Sequence, residues 1–102
     1  MLTLCIRYQI DHNKQRDFEV YARNWPETIK RCGGDLIGYF LPTQFAGRTN
    51  EALALISFSD LTAYQRYREA LQQDPAAVEN VTRVERAGCI LSEDRWFLRR
   101  VF

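Results

Sequence analysis

Between Ala54 and Ala76 the chain reads ALISFSDLTAYQRYREALQQDPA, and this stretch constrains the fold more than any other. It begins inside residues 52–58, a nearly continuous apolar run of the kind expected of a central strand covered on both faces. Ser59 and Asp60 then supply the oxygens that cap a helix N-terminus. An aromatic and arginine-rich helix follows over about residues 61–72, with Leu61, Tyr64, Arg68 and Leu71 on one line. Asp74-Pro75 starts another helix at once: aspartate caps it, and proline fits its first turn, where no amide proton is needed. That helix stops near Gly88.

The flanking segments complete a pattern. Residues 2–10 alternate, with Leu2, Leu4, Ile6, Tyr8 and Ile10 on one strand face and Thr3, Cys5, Arg7 and Gln9 on the other. Asp11-His12-Asn13 reads as a turn and cap. Over residues 14–32, Phe18, Tyr21, Ala22, Trp25, Ile29 and Cys32 recur at helical spacing and form one apolar stripe. Glu19 with Arg23 and Glu27 with Arg31 make favourable pairs one turn apart on the wet side. Pro26 kinks this helix or starts a new turn, and Gly33-Gly34 ends it. Residues 35–41 form a second strand, where Gly38 marks a bulge or a close approach. Residues 42–50 are a loop holding Phe45, Gly47 and Arg48, and residues 90–102 a last strand. Glu93 and Asp94 are expected in a turn or bulge at its start.

The order β-α-β-β-α-α-β reduces to the split βαβ, ferredoxin-like topology, an α+β fold with a four-stranded antiparallel sheet. Its helices cover one sheet face and leave the other bare. Both faces of the third strand are apolar, so the bare face needs a partner, and a second copy packed sheet to sheet as a two-fold homodimer is the economical one.

At 102 residues the chain makes one domain, residues 1–102, able to fold without staples. Fourteen basic and 13 acidic residues leave a formal charge of +1, too small a field to recruit nucleic acid or anionic membrane. No apolar run is long enough to span a bilayer, and no signal-peptide pattern opens the chain, so the default location is cytoplasmic. Cys5, Cys32 and Cys89 are odd in number and lack a Cys-x-x-Cys pair, which argues against a disulfide framework or thiolate metal site.

Few residues suggest chemistry. His12 is the single histidine and sits in a turn, a solvated setting. Asp60 and Asp74 have capping to do. One histidine and dispersed acids leave no metal site, and Gly33-Gly34 ends a helix instead of opening one as a phosphate loop does. Two arginine groups stand out, Arg7 in the first strand and Arg95, Arg99 and Arg100 in the last. With those strands adjacent, Arg7 and Arg99 could clamp an anion; the simpler reading pairs them with acids such as Glu51 or Glu93. The aromatics are the other candidate: Tyr21, Trp25, Tyr39, Tyr64 and Trp96 could meet between helices and sheet, as packed core or as a pocket.

Over its whole length the chain resembles the NIPSNAP family, a branch of the dimeric α/β-barrel superfamily. The likeness lies in Tyr8, Gly33-Gly34, Tyr39-Phe40-Leu41-Pro42, and the block Phe58-Ser59-Asp60-Leu61 with Tyr64, Tyr67-Arg68, Leu71 and Asp74-Pro75. Family members often carry Glu-x-Arg-x-Tyr in the first strand; here those positions are Leu4, Ile6 and Tyr8, which implies a less polar pocket. The resemblance implies a homodimeric barrel and no settled common activity. The expected function is therefore binding of a small aromatic or anionic molecule, or of a partner protein, without cofactor or catalytic machinery. The candidate contacts are Arg7, Tyr8, Tyr21, Trp25, Tyr39, Tyr64, Trp96 and Arg99. Cofactor-less monooxygenases of the superfamily supply the alternative: an enzyme holding a small aromatic or polyketide-like substrate against a tryptophan or tyrosine, with Arg7 or Arg99 steadying an enolate-like anion. A third possibility is capture of a partner by the loop around Phe45.

Overall fold

A computed structural model describes residues 1–102 and shows four strands and four α-helices. In chain order these are β1 (Leu2–Ile10), α1 (Gln15–Arg23), α2 (Pro26–Arg31), β2 (Asp35–Phe40), β3 (Glu51–Phe58), α3 (Leu61–Gln73), α4 (Pro75–Ala87) and β4 (Ile90–Arg99). All pairings are antiparallel in the order β2-β3-β1-β4, the ferredoxin-like arrangement. The helices lie on one face, and a shortest dimension of 19 Å is that of one helix layer on one sheet.

Local chemistry explains most boundaries. Asp11 accepts a hydrogen bond from the Asn13 amide at 3.0 Å and opens a short 3-10 turn, His12–Lys14, before α1. The expected single helix over residues 14–32 is two, because Pro26 lacks the amide needed to continue α1 and instead occupies the first turn of α2. Asp60 caps α3 through the Ala63 amide at 2.8 Å. Asp74 caps α4 through the Ala76 and Ala77 amides at 3.0 and 3.2 Å. Gly33 and Gly88 take φ of +103° and +67°, the left-handed region that ends α2 and α4.

Strand faces follow the expected alternation in β1: Leu4, Ile6, Tyr8 and Ile10 are buried toward the helices. They meet Phe18 and Tyr21 from α1, Trp25 at the α1–α2 junction, Ile29 from α2, and Ala52, Ala54, Ile56 and Phe58 from β3. The register of β2 slips between Leu36 and Gly38, the bulge anticipated at that glycine, and any Cβ there would meet the Phe40 ring at 2.9 Å. In α3, Tyr67 is the buried residue while Leu61 is 52% exposed, so the core-facing line differs from the expected one. Glu93 and Asp94 lie within β4, opposite Tyr8 and Arg7; the irregularity expected of them falls at Gln9/Ile10.

The face away from the helices is open and mixed: Arg7, Gln9, Glu51 and Asp94 form a charged and polar end of it, and apolar residues sit beside them. Parity places Cys5, Leu53, Leu55, Trp96 and Leu98 on it, with Phe40 at its β2 margin. Phe40 is 48%, Leu98 43% and Trp96 38% exposed. No helix is long and apolar enough to cross a membrane.

Candidate functional site

Where α3 and α4 lie over β1 and β4, they leave a cleft of about 670 Å³. One wall is aromatic: Tyr8 from β1, Tyr21 from α1, Trp25 at the α1–α2 junction, Tyr39 from β2 and Tyr67 from α3. The opposing wall is α4, whose Ala77, Val78, Val81 and Val84 are too short to fill the space. Arg68, Glu85, Glu93 and Arg95 add two charges of each sign to the lining.

The tyrosines form a connected array. Tyr8 packs edge-on to Phe18 and Tyr21 with ring centres 5.0 and 6.4 Å apart, and stacks on Tyr39 at 6.2 Å. Tyr21 meets Trp25 edge-on at 5.6 Å. The Tyr8 and Tyr39 hydroxyls stand 3.4 Å apart, long for an O–H···O bond. Trp25 Nε1 is buried with no hydrogen-bond partner. Contacts of the Tyr21 hydroxyl with the Trp25 indole and the Tyr8 hydroxyl favour its ionisation against the larger effect of burial, though the indole contact falls short of hydrogen-bonding geometry. Burial, reinforced by neighbouring phenols, holds Tyr8 and Tyr39 well above the usual tyrosine pKa. Burial also raises Tyr21 and Tyr67. These phenols are proton-bearing at neutral pH.

Arg95 Nε and Nη2 both donate to Glu93 Oε2, at 3.2 and 3.1 Å. Burial disfavours the Arg95 charge, but the Glu93 carboxylate outweighs it and the guanidinium pKa ends higher than usual. Arg95 stands opposite Ile6, and Glu93 opposite Tyr8. Leu4 and Ile6 are apolar, and the charged groups of the cleft come from the adjacent strand.

Four candidate residues come together here: Tyr8, Tyr21, Trp25 and Tyr39. The other four do not. Tyr64 belongs to a neighbouring cluster with Phe58, Tyr67 and Phe97, its ring centre 5.0 Å from that of Phe97. Trp96 pairs with Cys5 and faces the open side of the sheet, where the Arg7 guanidinium lies 5.6 Å from its ring centre. Arg7 Nε is 3.2 Å from Glu51 and its Nη2 3.7 Å from Asp94, the simpler of the two pairings considered. Arg99 pairs with Leu2, five register positions from Arg7's partner Asp94. That separation is roughly 16 Å along the strand, and its odd count puts the two arginines on opposite faces, so no clamp forms between them.

The candidate contacts left out Arg95, Glu93, Tyr67 and Arg68. For Glu93 and Arg95 the signal was parity, since they share a face of β4 opposite to Asp94 and Trp96; Tyr67 and Arg68 stood out only in the family likeness. Elsewhere, His12 is exposed in its turn, and burial raises the thiol pKa of Cys5, Cys32 and Cys89. Arg31 pairs with Asp74 at 2.8 Å instead of with Glu27. A smaller polar hollow between α2 and α4 is closed by Asn80, which donates to the Tyr21 carbonyl and accepts from Asn24.

A ferredoxin-like α+β domain with a tyrosine-walled cleft between helices and sheet is the class of protein these features define. The chain belongs to the NIPSNAP family, whose model matches residues 3–101. No curated protein matches the sequence. Among solved structures, protein Atu4242 from Agrobacterium tumefaciens is 20% identical with a TM-score of 0.84, the match covering 97% of this chain and 92% of that one. An uncharacterized NIPSNAP domain protein from Burkholderia xenovorans is 20% identical with a TM-score of 0.81, covering 99% and 95%. SnoaB from Streptomyces nogalater, a cofactor-independent oxygenase, is 14% identical with a TM-score of 0.63, covering 97% and 91%. At such identities the likeness is one of fold.

Proposed function

We propose that this protein is a homodimeric binding module whose cleft takes up a small aromatic molecule, without catalytic machinery of its own. The observation that carries this reading is the cleft itself: about 670 Å³ between five aromatic side chains and the short residues of α4. Its size falls within the roughly 300–1,000 Å³ typical of small-molecule sites. Thiols kept protonated by burial and a histidine exposed in a turn fit binding better than nucleophilic catalysis. The dimer part of the reading is supported by the open sheet face, where Leu53, Leu55, Trp96 and Leu98 make an apolar patch beside the charged Arg7, Glu51 and Asp94.

Native mass spectrometry of protein purified gently from its host tests both parts. A dimer carrying a defined extra mass, displaced by Val81→Trp, is the expected result. A bare monomer with an intact fold would overturn the reading.

The alternative is a cofactor-independent oxygenase. It is favoured by Arg95, a cation beside the tyrosines that could stabilise an enolate-like anion where neither Arg7 nor Arg99 reaches. Oxygen consumption with a bound aromatic ligand, abolished in Arg95→Ala while binding persists, would establish it over simple binding.

A further inference from the structure

We propose that the cleft binds a zwitterionic aromatic molecule of the amino-acid type, with its ring on the tyrosine wall, its carboxylate on Arg68 and its ammonium on Glu85. This rests on the ligand-binding reading of the same cleft and specifies its substrate class.

The lining changes character from floor to rim. Tyr8, Tyr21, Trp25 and Tyr67 are buried, while Arg68 of α3 and Glu85 of α4 are exposed. Helical spacing turns both charges toward the cleft. Arg68 shares a helix face with Leu71 and Gln72, three and four residues on, and Glu85 shares one with Val81 and Thr82. Burial raises the Tyr67 pKa, and the Arg95 and Arg68 guanidiniums act against that rise, as cations near its hydroxyl do.

Of the four charged groups in the lining, two are spent on each other, since Arg95 donates twice to Glu93 Oε2. Arg68 and Glu85 make no ion pair, either together or with any other residue. One cation and one anion are left free. Gln72 and the tyrosine hydroxyls both donate and accept, so they favour neither charge on a ligand. A ligand with a single charge would satisfy one free group and meet the other as a like charge. A zwitterion satisfies both. Its head group stays at the wet rim, where desolvation costs little, and its ring lies below against edges and faces already arranged for aromatic packing.

Four probes with one ring and nearly one shape separate the possibilities: L-phenylalanine with both charges, L-phenylalaninamide with the ammonium alone, 3-phenylpropanoate with the carboxylate alone, and 3-phenylpropanamide with neither. Each is titrated at pH 7 and low salt into nitrogen-15-labelled protein and followed by amide and indole resonances. Exposed ion pairs are weak, so phenylalanine is expected to bind about threefold more tightly than either singly charged probe and about tenfold more tightly than the neutral one. Arg68→Gln should cost phenylalanine and phenylpropanoate about threefold and spare phenylalaninamide. Glu85→Gln should cost phenylalanine and phenylalaninamide about as much and spare phenylpropanoate. Both positions are exposed, so both variants keep the fold. Equal affinities for the four probes, or tightest binding by a singly charged one, would overturn the proposal and leave the cleft a general aromatic site. Losses in the two variants that do not follow the charge of the probe would overturn it too. Failure of all four to bind would bring down the ligand-binding reading together with this one.

Discussion

Trp25 shows how one side chain serves packing without serving its own polar atom. Its rings contribute to the core while Nε1 goes unpaired. Phenylalanine there removes the orphaned donor along with some buried surface, two effects of opposite sign. Chemical denaturation should therefore find Trp25→Phe costing about 1–2 kcal/mol and Trp25→Ala about 3–5 kcal/mol. Gly34 carries a different constraint. Its φ is ordinary, but a Cβ would sit 2.8 Å from an Ile29 methyl, 3.1 Å from one of Ile56 and 3.2 Å from the Tyr67 ring. All three neighbours are packed core, so Gly34→Ala should destabilise by about 1–3 kcal/mol in the same measurement. The glycine pair was legible as a helix stop; that its second member is also a packing requirement depends on residues more than 20 positions away in β3 and α3.

At the scale of elements, Asp74 ties α2 to α4. It caps α4, and Arg31 Nε and Nη2 donate to its two oxygens at 2.9 and 3.0 Å. The Arg31 hydrogen bonds hold its pKa below the usual carboxylate value, helped by the helix amides and opposed by desolvation. The stability this confers is present above the ordinary carboxylate pKa and is lost as pH falls through the lowered one. Melting temperature followed from pH 6 to pH 2 should drop more steeply for the natural protein than for Asp74→Asn, which keeps a capping oxygen but no charge. The buried tyrosines work in the opposite direction. Their raised pKa values mean that stability is intact below the unfolded-state value near 10 and falls as pH climbs past it. Caps and glycine stops are local chemistry and were legible in the sequence. The register of β4 was not. A strand's faces alternate with period two, so a shift of one residue exchanges Trp96 for Arg95 in the cleft. Nothing within β4 chooses between them, because both faces mix aromatic and charged residues and all but its first residue is exposed.

The whole molecule has two unequal sides, a helix-covered face with the cleft and a bare face with Leu53, Leu55, Trp96 and Leu98. If that face joins two copies, a carboxylate placed in it should separate them without unfolding either. Leu98, opposite Thr3 and 43% exposed, is the site to change. Light scattering should show Leu98→Asp as a monomer where the natural chain is a dimer, with circular dichroism unchanged; a dimeric Leu98→Asp would exclude this face as the interface.

Element order, caps, the Pro26 break, the Gly38 bulge and the aromatic stripe of α1 and α2 were determined by the sequence, because each depends on residues within a turn or two of one another. The topology followed from that order through general rules of strand connection. Which side chains share the cleft was decided only by tertiary structure. Tyr8, Tyr21 and Trp25 were legible because their segments have one clearly apolar face and so one way to turn; Tyr39 lies in β2, whose two sides are both apolar, and pairing with β3 turns it inward. Arg95 and Glu93 were not, since their orientation is set by the pairing of β4 with β1, a contact between opposite ends of the chain.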